Sequence, residues 1–136
     1  MAEGLLRIIY VSTAKRHFDV PALAELLGIA QRNNAGCGIS GVLTFHDGAF
    51  LQILEGPAAA VEAIFARIEA DDRHHQLILV ERTAIETRAF ASWAMGWVEH
   101  ANLLRTGFDL DALKPHVPSA DMIRAMLLSF EQAVAA

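Results

Sequence analysis

Two apolar, strand-like runs, residues 39–45 and 49–54, are separated only by His46-Asp47-Gly48, a link short enough to impose an antiparallel hairpin. Segments of helical periodicity flank that hairpin. Leu23, Leu26, Leu27 and Ala30 precede it, and Val61, Ile64, Phe65 and Ile68 follow it at the i, i+3, i+4, i+7 spacing of one buried helix face. Residues 5–12 read as a strand with Leu6, Ile8, Tyr10 and Ser12 on one face and Leu5, Ile9 and Val11 on the other. Both faces are largely apolar, which suits a central strand. Residues 77–84 read as a fourth strand, and 92–98 as a fifth that puts Trp93, Met95 and Trp97 on one face. The order β-α-β-β-α-β-β predicts a ferredoxin-like α+β sandwich, with two helices on one face of a mixed sheet.

Element ends follow from local chemistry. Asp19 is suited to cap the first helix, with Pro21 in its first turn, where a missing N–H costs little. Asn33-Asn34-Ala35-Gly36 is the expected end of that helix, and the second helix is expected over 58–71. After Glu99 the pattern changes. A short helix is expected at 109–113, then Pro115 and Pro118, then a longer helix from near Ser119 with Met122, Ile123, Met126, Leu127 and Phe130 on one side. Such a stripe must be buried, either on the open face of the sheet or on another subunit. Residues 1–98 are therefore read as the domain and 99–136 as a helical extension of the same compact unit.

Composition excludes several classes of function. A chain of 136 residues with 54% hydrophobic and 20% charged residues folds as one globular domain. Its net charge of −5, with 11 scattered Lys and Arg, argues against a nucleic-acid or anionic-membrane surface. The one cysteine, Cys37, permits neither an internal disulfide nor a thiolate metal site. No uninterrupted apolar run approaches the roughly 18 residues of a membrane span, and the N-terminus reads as the start of a strand rather than a signal peptide. The expectation is a soluble cytoplasmic protein.

Chemistry has few places to reside. His74 and His75 adjoin Asp71-Asp72-Arg73, but adjacent side chains at a helix end diverge, and a solvated helix terminus explains them better than a metal site. Cys37 has no flanking cation or histidine pair to activate it. Neither common phosphate-cradling glycine loop occurs. Glu55, before Gly56-Pro57, suits turn or cap chemistry. The anomaly is Gln52. It shares a strand face with Phe50 and Leu54, and burying an amide without partners costs roughly 2–7 kcal/mol on transfer scales. In the expected sheet the strands of Tyr10 and Gln52 are neighbours. Asn33 and Asn34 lie above the same sheet edge, and Arg67 and Asp71, four apart, share a helix face. Singly each has an ordinary explanation; together they line a groove between two helices, and a polar ligand against the sheet becomes as good a reading as satisfied core residues.

Several of these blocks together resemble a known family. Tyr10-Val11-Ser12, Asn33-Asn34 with residues 38–43, residues 50–57, Asp72-Arg73-His74 and residues 88–96 are similar, in order and spacing, to the BLUF family of blue-light sensors using FAD. The block around Gln52 together with Trp93 and Met95 is the specific part, and the tail resembles that of short, single-domain members. The resemblance implies a non-covalent flavin between the two helices, FAD by family and FMN or riboflavin as substitutes in recombinant material. It implies Asn34 at the polar edge of the ring with Asn33 nearby, Arg67 and Asp71 toward the pyrimidine edge or the ribityl chain and phosphates, and Ile68 with first-helix aliphatics sandwiching the ring. His74 falls where the family has a histidine near the ring. Ala30 stands where members often have serine, so a hydroxyl contact is lost there. The implied mechanism has Tyr10 giving an electron and a proton to the excited flavin through Gln52, which is left rearranged. Met95 and Trp93 next to Gln52 would pass the change onward. No substrate would be turned over; the signal would go to a separate, unidentified protein or to a change in a homo-oligomer. The rival reading is a light-indifferent ferredoxin-like ligand-binding regulator or a flavoenzyme.

Overall fold

Strand β1 (Leu5–Ala14) is apolar on both faces because it is covered on both. It pairs antiparallel with β3 (Ala49–Pro57) on one side and with β4 (His74–Ile85) on the other. Strand β2 (Ser40–His46) completes the hairpin with β3, and the two-residue β5 (Gly96–Trp97) lies parallel to β2, giving the order β4-β1-β3-β2-β5. Helix α1 (Val20–Cys37) joins β1 to β2, and α2 (Ala58–Ala70) joins β3 to β4. Two interleaved β-α-β units result, which is the expected ferredoxin-like arrangement. The computed structural model describes residues 4–14, 20–46, 48–70, 74–90, 95–98, 100–105 and 120–135.

The alternation along each strand divides the core into two layers. Ile8, Tyr10, Leu43, Phe50 and Leu54 pack under α1 and α2 with Val61 and Phe65. Ile9, Val11, Val42, Leu51 and Ile53 face the other way, against Phe90, Leu103, Met126 and Phe130. Burying each such side chain contributes about 1.5–3 kcal/mol, so neither face is dispensable. The second layer is closed by α3 (His100–Arg105) and α4 (Ala120–Ala135). The described part of the α4 stripe lies against its own sheet, where Met126 and Phe130 are buried and Leu127 is partly buried. The expected helix at 109–113 lies outside the described residues.

Several element ends differ from expectation. Strand β1 runs on to Ala14 and β3 to Pro57, so Glu55 pairs opposite Arg7 within the sheet rather than serving a turn or cap. Helix α1 passes through Asn33-Asn34-Ala35-Gly36 and stops at Gly38, whose φ of 70° supplies the left-handed turn. The Ile39 N–H closes back on the Asn34 carbonyl at 3.0 Å, the six-to-one bond of a Schellman cap. Asn34 is therefore inside the last turns of the helix rather than at its cap. Strand β4 begins at His74, so His74 and His75 pair with Ala14 and Thr13 across the sheet instead of ending a helix. Strand β5 is confined to Gly96–Trp97, and the residues expected to begin it, 92–94, are not among those described. No helix among the described residues is long and apolar enough to cross a membrane.

Candidate functional site

The register places Tyr10 of β1 directly opposite Gln52 of β3, side by side on the face under α1 and α2. Both are nearly inaccessible, at 4% and 6% exposure. The Tyr10 phenol donates to Gln52 Oε1, and Gln52 Nε2 donates to Met95 Sδ at 3.5 Å. This resolves the burial problem only in part. A carboxamide has two N–H donors, and a thioether is a weak acceptor, so the nitrogen end of Gln52 keeps hydrogen-bonding capacity. The Tyr10 ring is itself held by Phe65 of α2, 5.7 Å away at 55°.

Above this pair a cavity of about 480 Å³ opens between α1 and α2, within the range that accommodates a small ligand or cofactor. Its floor is Tyr10, Leu43, Phe50 and Gln52, all from the sheet. Its walls are aliphatic, with Leu26, Ile29 and Ala30 from α1 and Ile64 and Ile68 from α2. Polar groups stand at intervals around it: Asn33 and Asn34 at the C-terminal end of α1, and Arg67 near the end of α2. Asn34 is 2% exposed while Asn33 and Arg67 are open to solvent. Among the described lining residues Arg67 alone is charged. A flat ring with an apolar body, a polar edge and an anionic tail fits such a lining: aliphatic walls for the faces, carboxamides for the edge, and a guanidinium where the cavity meets water.

The comparisons decide the family. The family model described as sensors of blue-light using FAD matches residues 5–96. The chain belongs to the BLUF family. It is 34% identical over 92 residues to the photoactivated adenylate cyclase subunit beta of Euglena longa, spanning 67% of this chain and 11% of that protein. A blue light- and temperature-regulated antirepressor from Escherichia coli is 34% identical over 74 residues, 54% of this chain and 18% of its own. The BLUF protein BlrB in its dark state superposes with a TM-score of 0.85 over 96% of this chain and 97% of its own; at 24% identity that likeness speaks for the fold. The photo-activated state of BlsA superposes with a TM-score of 0.79 at 27% identity, covering 97% and 96%.

Within this BLUF fold, six of the residues singled out in the sequence meet at one cavity: Tyr10, Asn33, Asn34, Gln52, Arg67 and Ile68. Met95 reaches the site through its bond to Gln52. Asp71 and Trp93 lie outside the described residues, and His74 is placed by its backbone alone, at the start of β4. Two features were not anticipated. Leu43 is part of the floor, as its pairing opposite Gln52 across the hairpin could have indicated. Gln31, on the exposed side of α1, donates to the Met95 carbonyl at 3.0 Å; nothing in the sequence distinguishes it from a solvated helix residue.

Proposed function

We propose that the chain is a blue-light photoreceptor module that holds FAD non-covalently in the cavity between α1 and α2 and turns over no substrate. The observation that carries this reading is the line Tyr10–Gln52–Met95, a phenol, a carboxamide and a thioether joined by hydrogen bonds, whose first two members form part of the cavity floor. Asn34 is assigned to the polar edge of the ring, Ile68 and the α1 aliphatics to its faces, and Arg67 to the solvent-side tail. Asn33, Asp71 and His74 are assigned to the periphery of the same group on the strength of the family pattern. FAD supplies blue-light absorption and, once excited, a strong electron acceptor. Tyr10 is the donor: its O–H already points at Gln52 Oε1, so the proton it loses on oxidation has an acceptor in contact. Gln52 is the switch, because a neutral carboxamide can exchange donor and acceptor ends within one volume. With its oxygen turned from Tyr10, its bond to Met95 is remade, and Met95 with Trp93 conveys the change. The matched region makes up only 9% to 11% of the cyclase relatives, so their catalytic activity is not carried over. The output is assigned to a separate protein or to a change in homo-oligomeric assembly.

The test is the visible spectrum of the purified protein before and after blue light. Flavin bands that shift to the red on illumination and return in darkness are expected. A protein that takes up no flavin overturns the reading, and flavin bands indifferent to light point to a flavoenzyme instead. Asn34→Ala is expected to weaken retention, not photochemistry. One lost hydrogen bond of about 0.5–1.5 kcal/mol corresponds to roughly two- to tenfold weaker binding, measurable as flavin per protein after dialysis.

A further inference from the structure

Glu55 is a buried carboxylate that the photochemistry above does not use. It follows Leu51 and Ile53 in the alternation of β3, so its side chain leaves the sheet on the side away from Gln52. It is wholly buried, yet an apolar residue would pack there without the cost of desolvating a charge. What it does is hold backbone. Its two oxygens accept the N–H groups of Phe90 at 2.9 Å and Ala89 at 3.1 Å. Arg7 stands 3.7 Å from the same carboxylate and donates in turn to Glu81 at 2.9 Å. Next along, Arg88 donates to Ser40 Oγ at 3.0 Å.

Phe90 and Met95 are five residues apart, and the far end of that segment is fixed as well. Val98 N–H bonds the Leu43 carbonyl at 3.0 Å, and Gln31 holds the carbonyl of Met95 itself. Of these ties, the one formed by Glu55 is buried and charge-assisted, the strongest kind available. We propose that Glu55 is a positioning residue: from behind the sheet it fixes the backbone of Ala89 and Phe90, five residues before Met95, and so helps hold Met95 Sδ against Gln52. The proposal rests on the photoreceptor reading above. Its consequence is kinetic. Dark recovery is faster when Met95 Sδ stands ready to accept Gln52 Nε2 again, and loss of the tie at Phe90 presents that sulfur less often. The released state therefore lives longer.

Glu55→Gln keeps the volume but loses the charge and one acceptor. It is expected to leave flavin content and the size of the red shift unchanged while slowing dark recovery about threefold or more, within the range that indirect contacts exert on coupled sites. Glu81→Gln, which removes only the outer end of the charge network, is expected to leave recovery unchanged. In a Met95→Leu background the Glu55→Gln effect is expected to vanish, because it acts through Met95. A merely structural Glu55 would slow or hasten recovery equally in both backgrounds, and that result overturns the proposal. So does recovery of Glu55→Gln at the parent rate. Amide hydrogen exchange reads the tether without light: exchange at Ala89 and Phe90 is expected to accelerate in Glu55→Gln and not in Glu81→Gln. Unchanged exchange in a parent that does photocycle overturns the positioning role alone. A parent chain with no red shift overturns the photoreceptor reading, and the kinetic role falls with it.

Discussion

Gln52→Leu is expected to keep its flavin and lose the light-induced red shift completely, and Tyr10→Phe is expected to do the same. The two side chains are buried, opposite one another in register and joined by a hydrogen bond, so each substitution removes one half of a single device. Leucine fills nearly the volume of glutamine and presents no dipole that can reverse. Phenylalanine keeps the ring that packs on Phe65 but has neither the proton nor the ready electron of a phenol. Stability separates this explanation from general damage. Either single change breaks the buried Tyr10–Gln52 hydrogen bond from one side only, which costs about 1–3 kcal/mol, whereas replacing both ends of the pair with apolar groups is close to neutral. The double variant Tyr10→Phe/Gln52→Leu is therefore expected to melt near the parent and still show no photocycle. A normal red shift in either single variant would refute the relay.

The fold was legible because the periodicities do not compete. The hairpin has period 2 and a forced turn, its flanking helices have period 3.6, and the interleaved order admits few sheets. Ends were less legible because they depend on single contacts. Asn33-Asn34 carries turn-forming residues, yet the helix continues, since Gly38 rather than Gly36 meets the left-handed requirement. The paired histidines of β4 resembled a helix terminus because the sequence before them is charged, while the pairing of His74 with Ala14 that extends the strand is a long-range event. The site shows the same division. Tyr10 and Gln52 could be matched because strand neighbours follow from topology. Gln31 and Glu55 could not, because each acts on the backbone of a segment more than 30 residues away, at separations of 64 and 34 to 35 positions.

The largest stability effect is expected at a residue with no side chain. Gly41 lies in β2 opposite Leu54, buried in the sheet, and a Cβ built there would stand 1.9 Å from the Ile53 carbonyl oxygen and 3.0 Å from its carbon. Those atoms are backbone of β3, which is paired on both sides and cannot yield without disturbing the position next to Gln52. Gly41→Ala is expected to cost at least about 3 kcal/mol, beyond an ordinary substitution, and to lower the melting temperature by roughly 10–15 °C for a domain of this size. Two other glycines calibrate the measurement. Gly48 has φ of 78° with nothing within 4 Å of an added Cβ, so Gly48→Ala pays only for the left-handed backbone, about 1–2 kcal/mol. Gly36 lies in α1, exposed, with equally open surroundings, so Gly36→Ala should stabilise by about 0.5–1 kcal/mol. Thermal melts of the three should therefore fall in the order Gly36→Ala, Gly48→Ala, Gly41→Ala from highest to lowest. If Gly41→Ala melts within a few degrees of the parent, the close approach of β2 to β3 at Gly41 is wrong.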